Sequence, residues 1–436
     1  MRSNRFRFSL LGSLTLGLFG CSDDAATAPT YHRDIRPLVE QKCANCHVAG
    51  GIAPFALSSY DDVAGHKDRI AVVVPARIMP PWLADPSCAE YYQPRNLSDA
   101  QIATFTRWID AGAPVGTPAD YKPPDITQTG LSRVDMTMPM PVVYTPKITP
   151  DEYRCFLLDW PATTTKYVTG FRAQPGNPAI VHHVIAFLAP PDQVAQYEQL
   201  DAADPDPGYT CFGGPGGQGF GGWVGAWAPG SSGGDYPLGT GLKIEPGSKI
   251  ILQVHYNMLG SPPVPDQTAV QVKVDDTVDK TALMLPWANF FSWVRDHQML
   301  IPAGNPDVFY EFQFDPTPYF SRFIPGFVDN TPFTIYGAGL HMHLRGTHTT
   351  LQVNHRGGAQ ECLLDIPHWN FHWQMMYGFA QPKLFTPGDQ LYIGCHWDNS
   401  AANQPVVNGQ RLPPQDLNWG EGSTDEMCLG LVYITQ

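Results

Sequence analysis

Beyond about residue 130 the chain is dominated by short apolar runs broken by turn residues. Val142 to Tyr144, Tyr167 to Phe171, Ile180 to Phe187, Lys249 to Tyr256, Phe333 to Tyr336 and Thr350 to Val353 each join β-branched, aromatic and aliphatic residues over strand-like lengths. Strands at that density, separated by glycine and proline, predict an all-β region of β-sandwich or jelly-roll architecture. The amino-terminal part has another rhythm. Asp34 to Val39 leads into Cys43 with the spacing of an apolar helix face. Asn96 to Ala113 predicts a second helix, in which Ser98 and Gln101 form a capping box, Ile102, Phe105 and Ile109 share a face, and Gly112 with Pro114 ends it. Between the two regimes, Pro114 to about Gln128 is rich in Pro, Thr and Gly and reads as a linker.

Composition agrees with this pattern. With 43 Pro, 41 Gly and 16% charged residues in 436, the chain favours short strands and many turns over long helices. Residues 2 to 20 carry Arg2, Arg5 and Arg7 followed by an apolar stretch, Phe8 to Phe19, too short for a mature membrane span. That is the layout of an export signal. It closes on Leu18-Phe19-Gly20-Cys21, which resembles a bacterial lipobox, so lipid attachment at Cys21 is expected. No later stretch approaches the ~18 uninterrupted apolar residues of a spanning helix. The expected address is the periplasmic face of a bacterial membrane, or the extracellular side. Without residues 1–20 the net charge falls from −14 to −17, which argues against nucleic acid or an anionic membrane surface as partner.

The first chemical motif is Cys43-Ala44-Asn45-Cys46-His47, the C-x-x-C-H run of covalent c-type haem attachment. Two helices bracketing such a loop predict a small all-α cytochrome c domain over residues 21–113. His47 supplies one axial ligand, and Met79, in Arg77-Ile78-Met79-Pro80-Pro81-Trp82, is the candidate opposite it. His66 is the rival. A zinc site would need two further close Cys or His, and only Cys88 follows nearby. A thioredoxin-like dithiol would need a βαβ setting and leaves His47 without a role.

The second chemical feature is a set of histidines inside apolar strands. His182 and His183 are adjacent in Ala179 to Ile185, and His255 lies in Ile250 to Tyr256. Neighbours on a strand point to opposite faces, so His182 and His183 share a metal only where the strand bends. His341 and His343 alternate in Leu340-His341-Met342-His343, and two imidazoles with a soft thioether make a copper site. A lone strand histidine is ordinarily a hydrogen-bonded core or surface residue, which is the reading for His297, His348, His355, His368, His372 and His396. Burying paired imidazoles without partners costs several kcal/mol, and metal binding removes that cost.

Val181-His182-His183-Val184, Leu252-Gln253-Val254-His255-Tyr256, His341-Met342-His343-Leu344-Arg345-Gly346 and Asp425-Glu426-Met427-Cys428 resemble, in order, the motifs of the type II copper, ascorbate-dependent monooxygenases, the peptidylglycine α-hydroxylating and dopamine β-monooxygenase relatives. The resemblance runs from about residue 132 to the end. It implies two jelly rolls, 132–278 and 279–436, joined by the 114–131 linker to the haem segment. Each would carry one of two copper ions, facing each other across an open cleft. It further implies that His182, His183 and His255 form the electron-transfer site, that His341, His343 and Met427 form the oxygen-binding site, and that Cys155 pairs with Cys211 and Cys395 with Cys428. Tyr153 and Gln253 match positions near the cleft. Cys88 and Cys362 have no counterpart.

Two departures bear on substrate. Gly339 stands where the family's peptide-binding arginine would precede the His-x-His pair, and Leu431 replaces a tyrosine after Met427. A peptide ending in glycine is therefore not the expected substrate. The Gly213 to Gly222 run lacks a phosphate-loop ending and reads as a loop beside the cleft. The expected activity is hydroxylation of a C–H bond of a small organic substrate with O2. Electrons would come through haem c from an external one-electron donor, with ascorbate as the family's soluble reductant. The alternative is a non-catalytic copper-binding or electron-relay lipoprotein. A zinc hydrolase is disfavoured by the thioether. The aromatic segments Pro286 to Trp293 and Trp369 to Trp373 read chiefly as core.

Overall fold

The computed structural model describes residues 28–49, 53–124, 130–217, 222–229, 231–259, 261–324, 326–407 and 409–436. The export signal, Cys21 and part of the linker lie outside them. Among the described residues, two β-sandwiches share one long sheet. That sheet is nine-stranded and passes in order through Met136–Pro139, Ala269–Asp275, Lys166–Gln174, Thr240–Ile244, Lys280–Trp287, Leu429–Thr435, Phe333–His341 and Met376–Phe385, with Gly234–Asp235 added beside Lys166–Gln174. The halves meet at one parallel pairing, Lys280 opposite Thr240 and Thr281 opposite Gly241.

A five-stranded sheet covers the first half, in the order Tyr209–Thr210, Asp151–Asp159, Lys249–Asn257, Val181–Ala189 and Trp223–Trp227. A four-stranded sheet covers the second, in the order Val308–Phe314, Gln390–Trp397, Gly346–Asn354 and Gln360–Ile366. Each pair of sheets encloses its own apolar core, around Phe156, Val184, Leu252 and Val270 in one and Ile335, Leu351, Ile393 and Val432 in the other. The pleat does this directly: Val270 and Val272 point inward and are fully buried, while Gln271 and Lys273 between and beside them turn away from the core. The Val142 to Tyr144 run forms no strand. Pro141 and Pro146 flank it and lack ladder N–H groups, leaving a single bridge from Tyr144 to Asp266.

The amino-terminal segment corrects the expected all-α cytochrome c domain. The described residues between 28 and 124 hold only short helical pieces, of which the longest, Asp99–Asp110, has 12 residues. That helix begins as its capping box requires, with Ser98 Oγ accepting from the Gln101 N–H. Elsewhere Pro75, Pro80, Pro81, Pro86 and Pro94 interrupt helical hydrogen bonding, and the chain from Trp82 to Arg95 contains no helix. This stretch instead completes the second sandwich. Ala84 and Tyr91 are buried in that sandwich's core, Tyr91 bridges to Phe379, and the Tyr92 N–H donates to Gly378 O at 2.7 Å. The helices therefore bracket a small core of their own, centred on Ile35, Val63, Phe105 and Trp108, while the rest of the segment belongs to the β structure.

Three disulfides join six of the eight described cysteines. Cys155–Cys211 and Cys395–Cys428 are the pairs implied by the family resemblance. The third, Cys88–Cys362, spans 274 residues and ties the amino-terminal segment to the second sandwich. Cys43 and Cys46 carry no disulfide.

Candidate metal centre

His183 faces His255 directly across the pairing of Val181–Ala189 with Lys249–Asn257. His182 lies at a register shift between Val181 and His183, an extra residue on its strand. Such a bulge re-aims a side chain, which is how two adjacent histidines come to one place. Their ligand nitrogens and those of His255 all lie within 4.8 Å of one another. His255 Nε2–H donates to Asp151 Oδ1 at 2.8 Å, which leaves its Nδ1 turned to His183 Nδ1, 3.3 Å away. Both ring nitrogens of His182 are buried without a hydrogen-bond partner. An unsatisfied buried polar atom costs roughly 1–3 kcal/mol, and a metal ion here removes that cost.

The second cluster is built at the end of a strand. Phe333–His341 terminates at His341, and His343 follows in the turn toward Gly346–Asn354. The two rings are 5.0 Å apart and nearly perpendicular. Gln374 Oε1 accepts from His341 Nδ1–H, and the Gln374 amide donates to Phe371 O at 2.7 Å. His343 Nε2 is likewise buried with no hydrogen-bond partner. Met427, 5% exposed, lines the same cavity as His341. Beneath them Glu426 accepts the backbone N–H of His343 at 3.0 Å and of Arg345 at 2.6 Å, and the Trp397 indole N–H at 2.9 Å. The Cys395–Cys428 bridge fixes the backbone next to Met427.

Where the resemblance implied an open cleft, the structure brings the two clusters together. The His183 and His341 rings are 5.9 Å apart. Phe371 stacks on His182 at 4.1 Å and meets His343 edge-on at 6.0 Å. Ser423, from the second sandwich, donates through Oγ and N to the two Asp151 oxygens at 2.7 and 3.0 Å. Tyr153 OH donates to Glu421 O at 2.7 Å. Both Asp151 and Tyr153 stand on the strand next to His255, so the same residues that orient that ring also join the halves.

Burial pushes the pKa of all five imidazoles down, that of His341 to about 4. They are neutral lone-pair donors at neutral pH, which a metal requires. Burial alone would raise Asp151, but hydrogen bonds from His255, Ser423 and Asn257 hold it at about 2. It stays a carboxylate and keeps the proton on His255 Nε2. Neutral imidazoles with one thioether and carboxylate or amide partners behind the rings form a donor set suited to copper.

A cavity of about 500 Å³ adjoins both clusters, lined among others by Tyr153, His183, Gln253, His341, Glu421 and Met427. Gly213, Gly214, Gly216 and Gly217 also border it. Gly339 and Leu431, opposite each other in the shared sheet, contribute to its wall. A Cβ at Gly339 would lie 2.6 Å from Met376 Sδ, so a side chain there would have to displace that methionine. Of the aromatic segments, Trp287 and Trp293 are core, Pro286 and Phe290 line the cavity, and the Trp369 indole donates to His343 O at 3.0 Å.

Sequence reasoning missed Asp151, Phe371 and Gln374, and gave Glu426 no role although it stood inside a quoted motif. Nothing in the sequence signals Gln374, which lies 33 residues from His341. His348, His355 and His396 pair with carboxylates as ordinary surface histidines do. His372 departs from that reading, its ring being 6.2 Å from His182.

Near the amino end, His47 Nδ1–H donates to Phe55 O at 3.0 Å, which fixes the orientation of the ring. Phe55 packs against His47 at 4.8 Å and stacks on His66 at 3.9 Å. Met79 is 38% exposed, in a loop held by its own N–H to Val73 O.

No curated protein matches the chain closely enough to carry an argument. Residues 136–261 match the N-terminal domain of the copper type II ascorbate-dependent monooxygenases, and residues 326–435 match the C-terminal domain. Together these regions take more than half of the chain and contain all five converging imidazoles and Met427, so the protein belongs to the copper type II ascorbate-dependent monooxygenase family.

Proposed function

We propose that the protein hydroxylates a C–H bond of a small, largely apolar organic molecule with O2, with electrons supplied through haem bound covalently at Cys43 and Cys46. The observation that carries the reading is the convergence of five neutral imidazoles, those of His182, His255 and His343 buried, beside a cavity that Met427 helps to line. His182, His183 and His255 would hold one copper ion, and His341, His343 and Met427 the other. Bound copper supplies one-electron redox chemistry and a coordination position for O2. The protein's own part is placement. Asp151 and Gln374 fix the orientation of His255 and His341, Phe371 packs the clusters together, and Phe212, Trp223, Phe290 and Leu431 give the cavity an apolar wall. Glu421, raised to about 7 by burial, is a carboxyl group in that wall able to meet a polar substrate group. Gly339 and Leu431 provide no cation or phenol for a peptide carboxylate.

The haem reading is supported by two unpaired thiols at the C-x-x-C spacing and by the hydrogen bond that orients His47. Met79, with His66 as rival, is the candidate second axial ligand. Export with lipid attachment at Cys21 fits three disulfides, which persist in oxidising compartments. In the test, purified protein is assayed for copper, haem bands and O2 consumption across small amines, peptides and hydrocarbons. The expected result is two copper ions per chain, covalent haem that is reoxidised when copper and O2 are present, and a hydroxylated product. Met427→Ala should abolish product while leaving much of the copper bound; unchanged turnover in that variant refutes the assignment.

A further inference from the structure

Four of the five converging imidazoles have a second contact that fixes the ring. His255 Nε2–H donates to Asp151 Oδ1 at 2.8 Å, His341 Nδ1–H to Gln374 Oε1 and His343 Nδ1–H to Asp425 O at 3.3 Å, while His183 Nδ1 meets His255 Nδ1 at 3.3 Å. His182 differs. It is 6% exposed, and neither of its ring nitrogens has a hydrogen-bond partner among the described residues. A metal ion takes one lone pair of a neutral imidazole, so loading this cluster satisfies one nitrogen and leaves the other, an N–H, buried without an acceptor. That remainder costs roughly 1–3 kcal/mol. Ligating histidines ordinarily give this proton to a nearby acceptor.

The surroundings of His182 offer one. Phe371 stacks on the ring at 4.1 Å and closes one face. The next residue, His372, has its ring 6.2 Å from that of His182 and at 77° to it. Among the described residues, His372 makes ring contacts with His182 and Phe371 and none with His183 or His255, although those two rings lie 5.7 and 5.1 Å from His182. His372 therefore stands on the side of His182 away from the other two ligands. Its backbone N–H is held by Asn370 Oδ1 at 3.0 Å, whereas the residue is exposed and its side chain is free to turn.

We propose that His372 is a positioning residue of the first cluster: one of its ring nitrogens accepts the His182 N–H that a bound metal leaves over. This inference rests on the copper reading above. Hydrogen-bonded imidazoles have ring centres about 5 Å apart, so an inward shift of about 1 Å completes the contact. His182 stands on Val181–Ala189 of the first sandwich, and His372 lies between Gln360–Ile366 and Met376–Phe385 of the second. Loading the cluster and closing the boundary between the sandwiches thus support each other. The bond also gives a role to the one remaining histidine near the clusters that neither ligates nor pairs with a carboxylate.

The test uses the full chain with His341→Ala and His343→Ala, which leave the three-histidine cluster as the copper site, and measures cupric copper there by competition with a chelator of known affinity. His372→Ala should weaken binding about 10–100-fold. His372→Asn, which restores an acceptor, should recover most of it, and His372→Phe, which restores only the ring, should not. Spin-echo modulation from the non-coordinated nitrogen of a ligating imidazole reports the hydrogen bonding of that nitrogen; it should change in the Ala and Phe variants and return in Asn. Melting temperatures without metal should be the same in all three. Parent affinity in His372→Ala, equal recovery by Phe and Asn, or a loss matched by a lower metal-free melting temperature overturns the proposal. A parent chain, with all five imidazoles in place, that binds no copper refutes the copper reading itself.

Discussion

At the residue scale, what distinguishes the five clustered histidines from the others is their surroundings. His348, His355 and His396 each have a carboxylate partner, whereas His182 and His343 keep buried nitrogens that nothing among the described residues satisfies. The groups behind the rings carry the first prediction. Partners that orient a metal-ligating histidine are worth about 10–100-fold in metal affinity. Asp151→Asn should weaken copper at the His255 cluster by about that factor, and Gln374→Leu should do the same at His341; competition with a chelator of known affinity measures both. If Asp151→Asn binds copper as tightly as the parent, Asp151 serves only to join the sandwiches through Ser423. The candidate ligands themselves were legible in the sequence, because paired imidazoles in apolar strands are anomalous whatever the fold. Asp151, Phe371 and Gln374 were not, since each acts on a histidine brought near only by strand pairing or by a loop far along the chain.

At the element scale, the bulge at His182, the strand end at His341 and the turn through His343 decide which side chains converge, and hydrogen-bonded loops hold those elements in place. Arg154, on the strand that carries Asp151 and Tyr153, grips Asp204 through two hydrogen bonds of 2.8 and 3.0 Å. The arginine bond holds Asp204 down at about 2. A carboxylate whose folded pKa is depressed stabilises the fold above its unfolded value, ~3.9, and that contribution is lost as pH falls through the folded value. The stability difference between the parent and Asp204→Asn should therefore be constant above about pH 5 and shrink toward zero near pH 2. Denaturant titrations at a series of pH values check this; a difference that grows on acidification refutes it. The strands themselves were largely readable from their apolar runs. Val142 to Tyr144 was not, because its flanking prolines deny it a ladder, and the cytochrome-like helices were overread because the stretch after Met79 packs into a β-sandwich instead.

At the scale of the whole molecule, three units behave as one because one sheet passes through both sandwiches and the Cys88–Cys362 disulfide pins the third. Replacing both cysteines with serine should cost about 2–4 kcal/mol and raise hydrogen exchange at residues 82–95, while leaving copper stoichiometry at the parent value. Loss of copper in that variant would mean that the clamp also shapes the metal clusters. Copper held by the candidate ligands, which run from His182 to Met427 in the sequence, would bind the folded chain and not the unfolded one, so saturating metal should stabilise by mass action. Chelation should lower the melting temperature by about 5–10 °C, and calorimetry with and without copper reads it.

The sequence by itself determined the kinds of chemistry present: thiols spaced for haem, imidazoles and a thioether suited to copper, and strands to carry them. These follow from residue identity and short-range spacing. Tertiary structure alone decided that the two imidazole clusters touch, that Cys88 meets Cys362, and that the cavity beside Lys42 and Asn45 shares lining residues with the one at the clusters. Each of those depends on packing between segments hundreds of residues apart, which no local pattern encodes.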